Sequence, residues 1–226
     1  MKLRSKLLGM RLPLAIFILA VLASVISGSI IINLTLMSNS IDEDWLCLRT
    51  ELFKMNFPKS WCMERGYVDK NGTVYMINLF SDDFKTVLHF EFYSEAATRS
   101  FMENHNLTQV SSIPEIDAKE VYGWVSQQNI NATYDVVNMN PDLFNFIENW
   151  ANTRGYEVHY LLVSIRKAYL VNNVPQNTTG LFLSSMVDGK LIKIILYGEE
   201  ISWSENQEKF KKILDSTEFF MDKWYA

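Results

Sequence analysis

Between Leu12 and Ile41 the chain carries no Asp, Glu, Lys or Arg. The most apolar part runs from Leu12 through Met37. About 20 apolar residues in a helix already cross a hydrocarbon core of about 30 Å, so this stretch is long enough to span with tilt. Lys2, Arg4, Lys6 and Arg11 flank it on the N-terminal side only, and every acidic residue lies at or after Asp42. The positive-inside rule keeps the basic end cytoplasmic and puts the rest of the chain outside. The expected organisation is a basic tail over 1–11, a transmembrane signal-anchor helix over 12–37, a short polar-acidic linker over 38–46 and an extracytoplasmic domain over 47–226. The cell membrane is the expected location.

The competing reading is a cleaved signal peptide, which would release a secreted soluble domain. Ala20, Ala23, Ser27, Gly28 and Ser29 are small enough for a peptidase site. Against this, the apolar run resumes at Ile30-Ile31-Ile32 and continues to Leu36, whereas a signal h-region spans only about 7–15 residues. No cysteine follows the run until Cys47, which disfavours a lipoprotein. A buried helix of a soluble core fits poorly, because no polar stripe recurs at helical spacing.

Composition narrows the function classes. A net charge of -5 with 26 acidic residues opposes nonspecific nucleic-acid binding, which needs a dense positive surface. With 48% hydrophobic residues the chain can bury a core, and two cysteines do not make a disulfide miniprotein. Asn71-Gly-Thr73, Asn106-Leu-Thr108, Asn131-Ala-Thr133 and Asn177-Thr-Thr179 are N-glycosylation acceptor patterns that fit an exported domain. A fifth, at Asn33, falls inside the expected span and would not be usable. Cys47 and Cys62 are the only cysteines, and in an oxidising compartment such a pair is expected to be bridged. A loop that short would contribute about 3 kcal/mol if unstrained.

The outer region reads as alternating strands and helices. Phe53, Met55 and Phe57 alternate with Lys54 and Asn56 and stop at Pro58. Trp61-Cys62-Met63 resumes an extended run, and strands are expected over 73–80, 87–93, 156–169, 181–186 and 191–197, with Asp188-Gly189 as a hairpin turn. Helices are expected from Ser94 as N-cap to His105, from Asn140-Pro141 to a stop at Gly155, and after Ser204 with Gln207 as a capping box. A further helix or extended piece covers 118–127. Short links between strands imply an antiparallel sheet, and the interspersed helices imply layers on its faces.

The run Phe53-Lys-Met-Asn-Phe57-Pro58-Lys-Ser-Trp61 resembles the opening of PsbP-like domains, in which an aromatic strand ends in proline with a tryptophan three residues on. The close resembles them too: a hydrophobic strand over 191–197, a polar turn, then Phe210, Ile213, Leu214, Ser216 and Phe219 at the family's spacing. The resemblance covers the two ends of the outer region. It implies an α+β fold of the PsbP/Mog1 type, with an antiparallel sheet of about six strands flanked by helices. It also implies a non-enzymatic accessory or binding role. Photosynthetic members assist a water-oxidising complex and some bind metal, but no matched metal ligands stand here.

One constellation carries chemistry of its own. His89 and Glu91 lie two apart on one expected strand, and Glu157 and His159 repeat the arrangement on a later one. Each pair shares a sheet face. If the two strands were neighbours, the four groups could converge as a two-His, two-carboxylate site for a divalent metal. The plainer reading is the polar face of a sheet covered by loops. No cofactor is otherwise expected, and no nucleophile elbow, phosphate-cradling loop or dinucleotide fingerprint occurs. Tyr75, Phe90, Phe92, Phe144, Trp150 and Tyr160 sit at core-like spacing, while Trp124, Trp203 and Trp224-Tyr225 are less obviously internal. The chain is therefore read as a membrane-anchored, non-enzymatic accessory domain. Its partners would be the bilayer, through the anchor, and an unidentified envelope protein. A metal-binding protein or metal-dependent enzyme is the alternative.

Overall fold

The computed structural model describes residues 44–220. The apolar stretch over 12–37 and Trp224-Tyr225 lie outside the described residues, and among these no helix is long and apolar enough to cross a membrane. The elements are β1 (Trp45–Arg49), β2 (Phe53–Pro58), β3 (Cys62–Tyr67), β4 (Val74–Phe80), β5 (Thr86–Tyr93), α1 (Glu95–Asn104), α2 (Ile113–Gln128), β6 (Thr133–Val136), α3 (Pro141–Arg154), β7 (Glu157–Val171), β8 (Val174–Val187), β9 (Lys190–Glu199), α4 (Glu200–Glu205), α5 (Gln207–Asp215) and β10 (Glu218–Phe219). The α+β class holds, but the strands form two sheets. Seven pair in the order β3-β4-β5-β9-β8-β7-β6, and three in the order β1-β2-β10. Every pairing is antiparallel.

Local chemistry explains most boundaries. Ser94 accepts from the Ala97 amide and Asn140 from that of Leu143, so both expected N-caps form. Gly155 closes α3 at φ +68°, a conformation that favours glycine. Asp188 and Gly189 both have positive φ, as a two-residue hairpin turn requires. Asn172-Asn173 does the same between β7 and β8, at φ 50° and 64°. The expected capping box does not form: Ser204 lies inside α4, and α5 starts from Asn206 without a side-chain cap. The segment over 118–127 belongs to α2, which Pro114 helps to start.

Both faces of the large sheet are covered, so β4 is buried along its whole length instead of alternating. On one face Leu88, Phe90, Phe92, Ile194 and Leu196 pack against β2, α3 and α5. There Phe53 stacks on Phe92 at 4.9 Å, joining the small sheet to the large one. On the other face α2 and α1 cover β5, β9, β8 and β7 with Val121, Ala118, Ile113 and Phe101. Phe144 does not enter the core: it is 40% exposed and edges onto Tyr160. Trp203 is buried, and its indole N–H donates to the Leu196 carbonyl at 3.1 Å.

Candidate functional site

The face beneath α1 and α2 carries a buried polar row. Along β5, Leu88, Phe90 and Phe92 point to the large core, which turns His89, Glu91 and Tyr93 to the helix-covered side. The register sets Asn78 opposite His89. Glu91 lies opposite Lys193, Lys193 opposite Ser184, and Ser184 opposite His159. From above, α2 lowers Asp117 onto the row. Asp117 stands at i+4 from Ile113 and i−4 from Val121, both of which face the sheet.

Hydrogen bonds and charges tie these groups together. Lys193 Nζ lies 2.8 Å from Asp117 Oδ1 and 3.7 Å from Glu91 Oε2. Tyr93 donates its hydroxyl to Glu91 Oε2 at 2.7 Å. His89 Nε2 lies 3.1 Å from Glu91 Oε1, and Nδ1 lies 2.6 Å from Asn78 Oδ1. Asn78 in turn donates to Glu64 on β3 at 3.2 Å. The ammonium of Lys193 rests 4.1 Å from the Phe101 ring centroid and 5.3 Å from that of Tyr93. Asp117 Oδ2 is buried without a hydrogen-bond partner.

Burial and charge pull these groups in opposite directions. Burial alone would raise Glu91, but Lys193 and His89 outweigh it and hold the carboxyl below its usual range. For Asp117 burial wins over Lys193, and the carboxyl is pushed up to about 6. Burial would lower Lys193, but Glu91 and Asp117 reverse that and keep its ammonium charged. Burial, then Glu91, raises Tyr93, so it remains a hydroxyl donor.

The two expected His/Glu pairs share a face and a row, but they do not meet. Strands β9 and β8 lie between β5 and β7, so His89 and Glu91 stand roughly 14 Å, three strand spacings, from His159 and Glu157. Lys193 and Ser184 fill the gap. His159 pairs locally with Glu157 at 3.3 Å. Among the described residues no group of three or more His, Cys, Asp or Glu is placed to hold a metal ion. The expected disulfide is also not formed. Cys47 and Cys62 are free, with Cys62 exposed. They sit on different sheets, opposite Asn56 and Phe80 respectively. The four sequon asparagines, Asn71, Asn106, Asn131 and Asn177, are all exposed. Asn177 already uses its side chain, accepting from the Lys167 amide at 3.1 Å and donating to Glu200 at 3.2 Å.

Sequence reasoning missed Lys193 and Asp117. Both left a signal: a lone lysine interrupting Leu-Ile-Lys-Ile-Ile-Leu, and an aspartate in phase with the apolar stripe of its helix.

A second feature is the distribution of exposed apolar side chains. The chain enters the described domain at Asp44, whose carbonyl accepts from Lys59 at the end of the sheet where β3 begins. The β4–β5 turn, the end of β9, the tip of the β7–β8 hairpin and the start of β6 share that end by register. Among the described residues, five of the eight exposed large apolar side chains lie there: Phe84, Ile130, Leu170, Val174 and Ile201.

No family model matches the chain, and no curated protein matches it. Among solved structures, the solution structure of cyanobacterial PsbP (CyanoP) from Synechocystis sp. PCC 6803 aligns with a TM-score of 0.38 at 11% identity, covering 85% of this chain and 96% of that one. A superposition that loose does not establish kinship.

Proposed function

We propose that the chain is a single-pass membrane protein whose domain stands outside the cell with its Asp44 end against the bilayer, where it serves as a non-enzymatic accessory module for a membrane partner. The observation that carries this reading is the gathering of exposed apolar side chains at the end where the domain joins a stretch that can span a membrane. Apolar side chains exposed together at one end fit contact with protein or lipid better than full solvation. Phe84 and Ile201 flank the sheet at the foot, and Leu170 and Val174 cap the protruding hairpin. Charges of both signs share that end, Asp82, Asp83 and Glu200 with Lys85 and Lys167, so a vesicle of uncharged phospholipid isolates the apolar contact.

The polar row supports a structural role over catalysis. His89, Glu91, Lys193 and Asp117 bond to one another beneath two helices instead of lining an open cleft. Anchoring raises the domain's concentration near any partner in the same membrane, so weak contacts suffice.

The test uses the full chain in vesicles of uncharged phospholipid. An environment-sensitive dye is placed at Ile201→Cys, with Cys47 and Cys62 replaced by serine. Its emission should shift to the blue and be quenched by a lipid-borne quencher, while the same dye at Lys70→Cys, at the opposite end, stays solvated. Equal solvation at both positions would overturn the proposed orientation. Pull-down from solubilised membranes then identifies the partner.

A further inference from the structure

We propose that the buried Lys193–Asp117 contact is the site of an intramolecular isopeptide bond, a covalent staple between strand β9 and helix α2. Four observations converge on it. A primary amine and a carboxylic acid are held with Nζ 2.8 Å from Oδ1. A second carboxylate, Glu91, stands beside the same nitrogen, with Oε2 at 3.7 Å. The rings of Phe101 and Tyr93 close over the ammonium and exclude water. The other oxygen of Asp117 is buried and unpartnered, so its departure breaks no hydrogen bond.

The step balances without a cofactor. The reacting form is the minor, neutral form of the ion pair, reached when one proton moves from Lys193 to Asp117. The burial that makes Asp117 hold a proton more tightly favours this form, and the charge of Glu91 opposes it by keeping the lysine protonated. The Nζ lone pair then adds to Asp117 Cγ. Glu91 takes the surplus proton from nitrogen and passes it to the departing hydroxyl. The C–O bond breaks, one water leaves, and an amide joins Nζ to Cγ. Glu91 ends as it began, and nothing is oxidised or reduced. The product replaces two buried charges by a neutral amide, which removes their desolvation cost. Water released from a closed, ring-covered site is not readily available for the reverse reaction.

The inference does not depend on the membrane reading. It gives a covalent brace to a domain whose two cysteines are free. The experiment is intact mass and peptide mapping of the full chain, made in a host that adds no glycans and held folded at neutral pH. The expected mass is lower than the sequence sum by one water. Trypsin should yield a branched peptide joining residues 100–119 to residues 191–209, because a linked Lys193 is not cleaved. Lys193→Arg keeps the positive charge but lacks the reacting amine, so it should fold and show the full sequence mass. Glu91→Gln should slow the mass loss by at least tenfold. The proposal is overturned if folded wild-type protein has the full mass and releases residues 191–193 as a free peptide. It is equally overturned if a water loss persists in Lys193→Arg.

Discussion

In protein whose Lys193 and Asp117 are still unjoined, as shown by its full sequence mass, replacing Glu91 by glutamine changes a charge and almost no volume, so it isolates the electrostatics of the polar row. At neutral pH the substitution leaves Lys193 with Asp117, 2.8 Å away, as its one carboxylate within 4 Å among the described residues, and with Glu120 as a further negative charge. Breaking a buried ion pair outright costs about 3–5 kcal/mol. Because Asp117 remains, a loss of about 2–3 kcal/mol is expected, or roughly 4–12 °C in the melting temperature of a domain this size. The acid limb is the sharper readout. The carboxyl of Glu91 is held below its ordinary 4.5 in the folded state, so the unfolded chain takes up the proton first as pH falls. Its stabilisation is complete above that pH and declines by about 1.4 kcal/mol per pH unit below it. Asp117 runs the other way. Raised to about 6 in the folded protein, it loses stability as pH rises from its unfolded value to 6 and is level above that. Denaturant unfolding by circular dichroism between pH 2.5 and 7 measures both terms. Wild type should lose more stability than Glu91→Gln as pH falls from 4.5 to 2.5, so its acid limb should be the steeper of the two. Parallel acid limbs in the two proteins, or a cost under about 1 kcal/mol at pH 7, would refute the buried-network account.

Further outcomes follow from individual contacts. The exposed pair Arg166–Asp135, at 3.3 Å, should contribute less than about 1 kcal/mol when Arg166→Ala is measured by the same unfolding. Gly155→Ala meets no atom within 4 Å but must hold φ +68°, so it should cost about 1–2 kcal/mol. Gly198→Ala should be markedly worse, since a Cβ there would lie 2.5 Å from the Lys85 carbonyl oxygen; melting temperatures give the order, and a reversed order contradicts the strand register. Trp150→Phe removes the indole N–H that donates to the Leu214 carbonyl at 2.9 Å. It should cost about 1–3 kcal/mol in denaturant unfolding, most of it from the unpaired carbonyl.

The elements were legible where the signal was local. Ser94, Asn140-Pro141 and Asp188-Gly189 announce their caps and turn because each acts on backbone within four residues. The strand count came out low because β1, β6 and β10 are short and owe their pairing to distant partners, such as Glu218 opposite Lys54. Phe53, Met55 and Phe57 read correctly as a strand, yet nothing in their spacing says that they build a second sheet. Phe144 occupied a core-like phase but lies at the edge of α3, where tertiary packing and not periodicity decides burial. The candidate site was half legible. Period two placed His89 with Glu91 and Glu157 with His159, while their separation depended on strand order, which is a property of the whole chain. Lys193 could be suspected from its apolar neighbours, but its two carboxylates come from β5 and α2, far away in sequence.

Cys62 is free and exposed and lies in the domain beyond the apolar stretch, which makes it a natural reporter of sidedness. A membrane-impermeant maleimide applied to intact cells should label Cys62 on a chain that stays with the membrane through alkaline carbonate, and Cys62→Ser should remove most of that label. Labelling of Cys62 only after lysis would place the domain on the inner side, and labelled protein that washes free in carbonate would show that no span holds it.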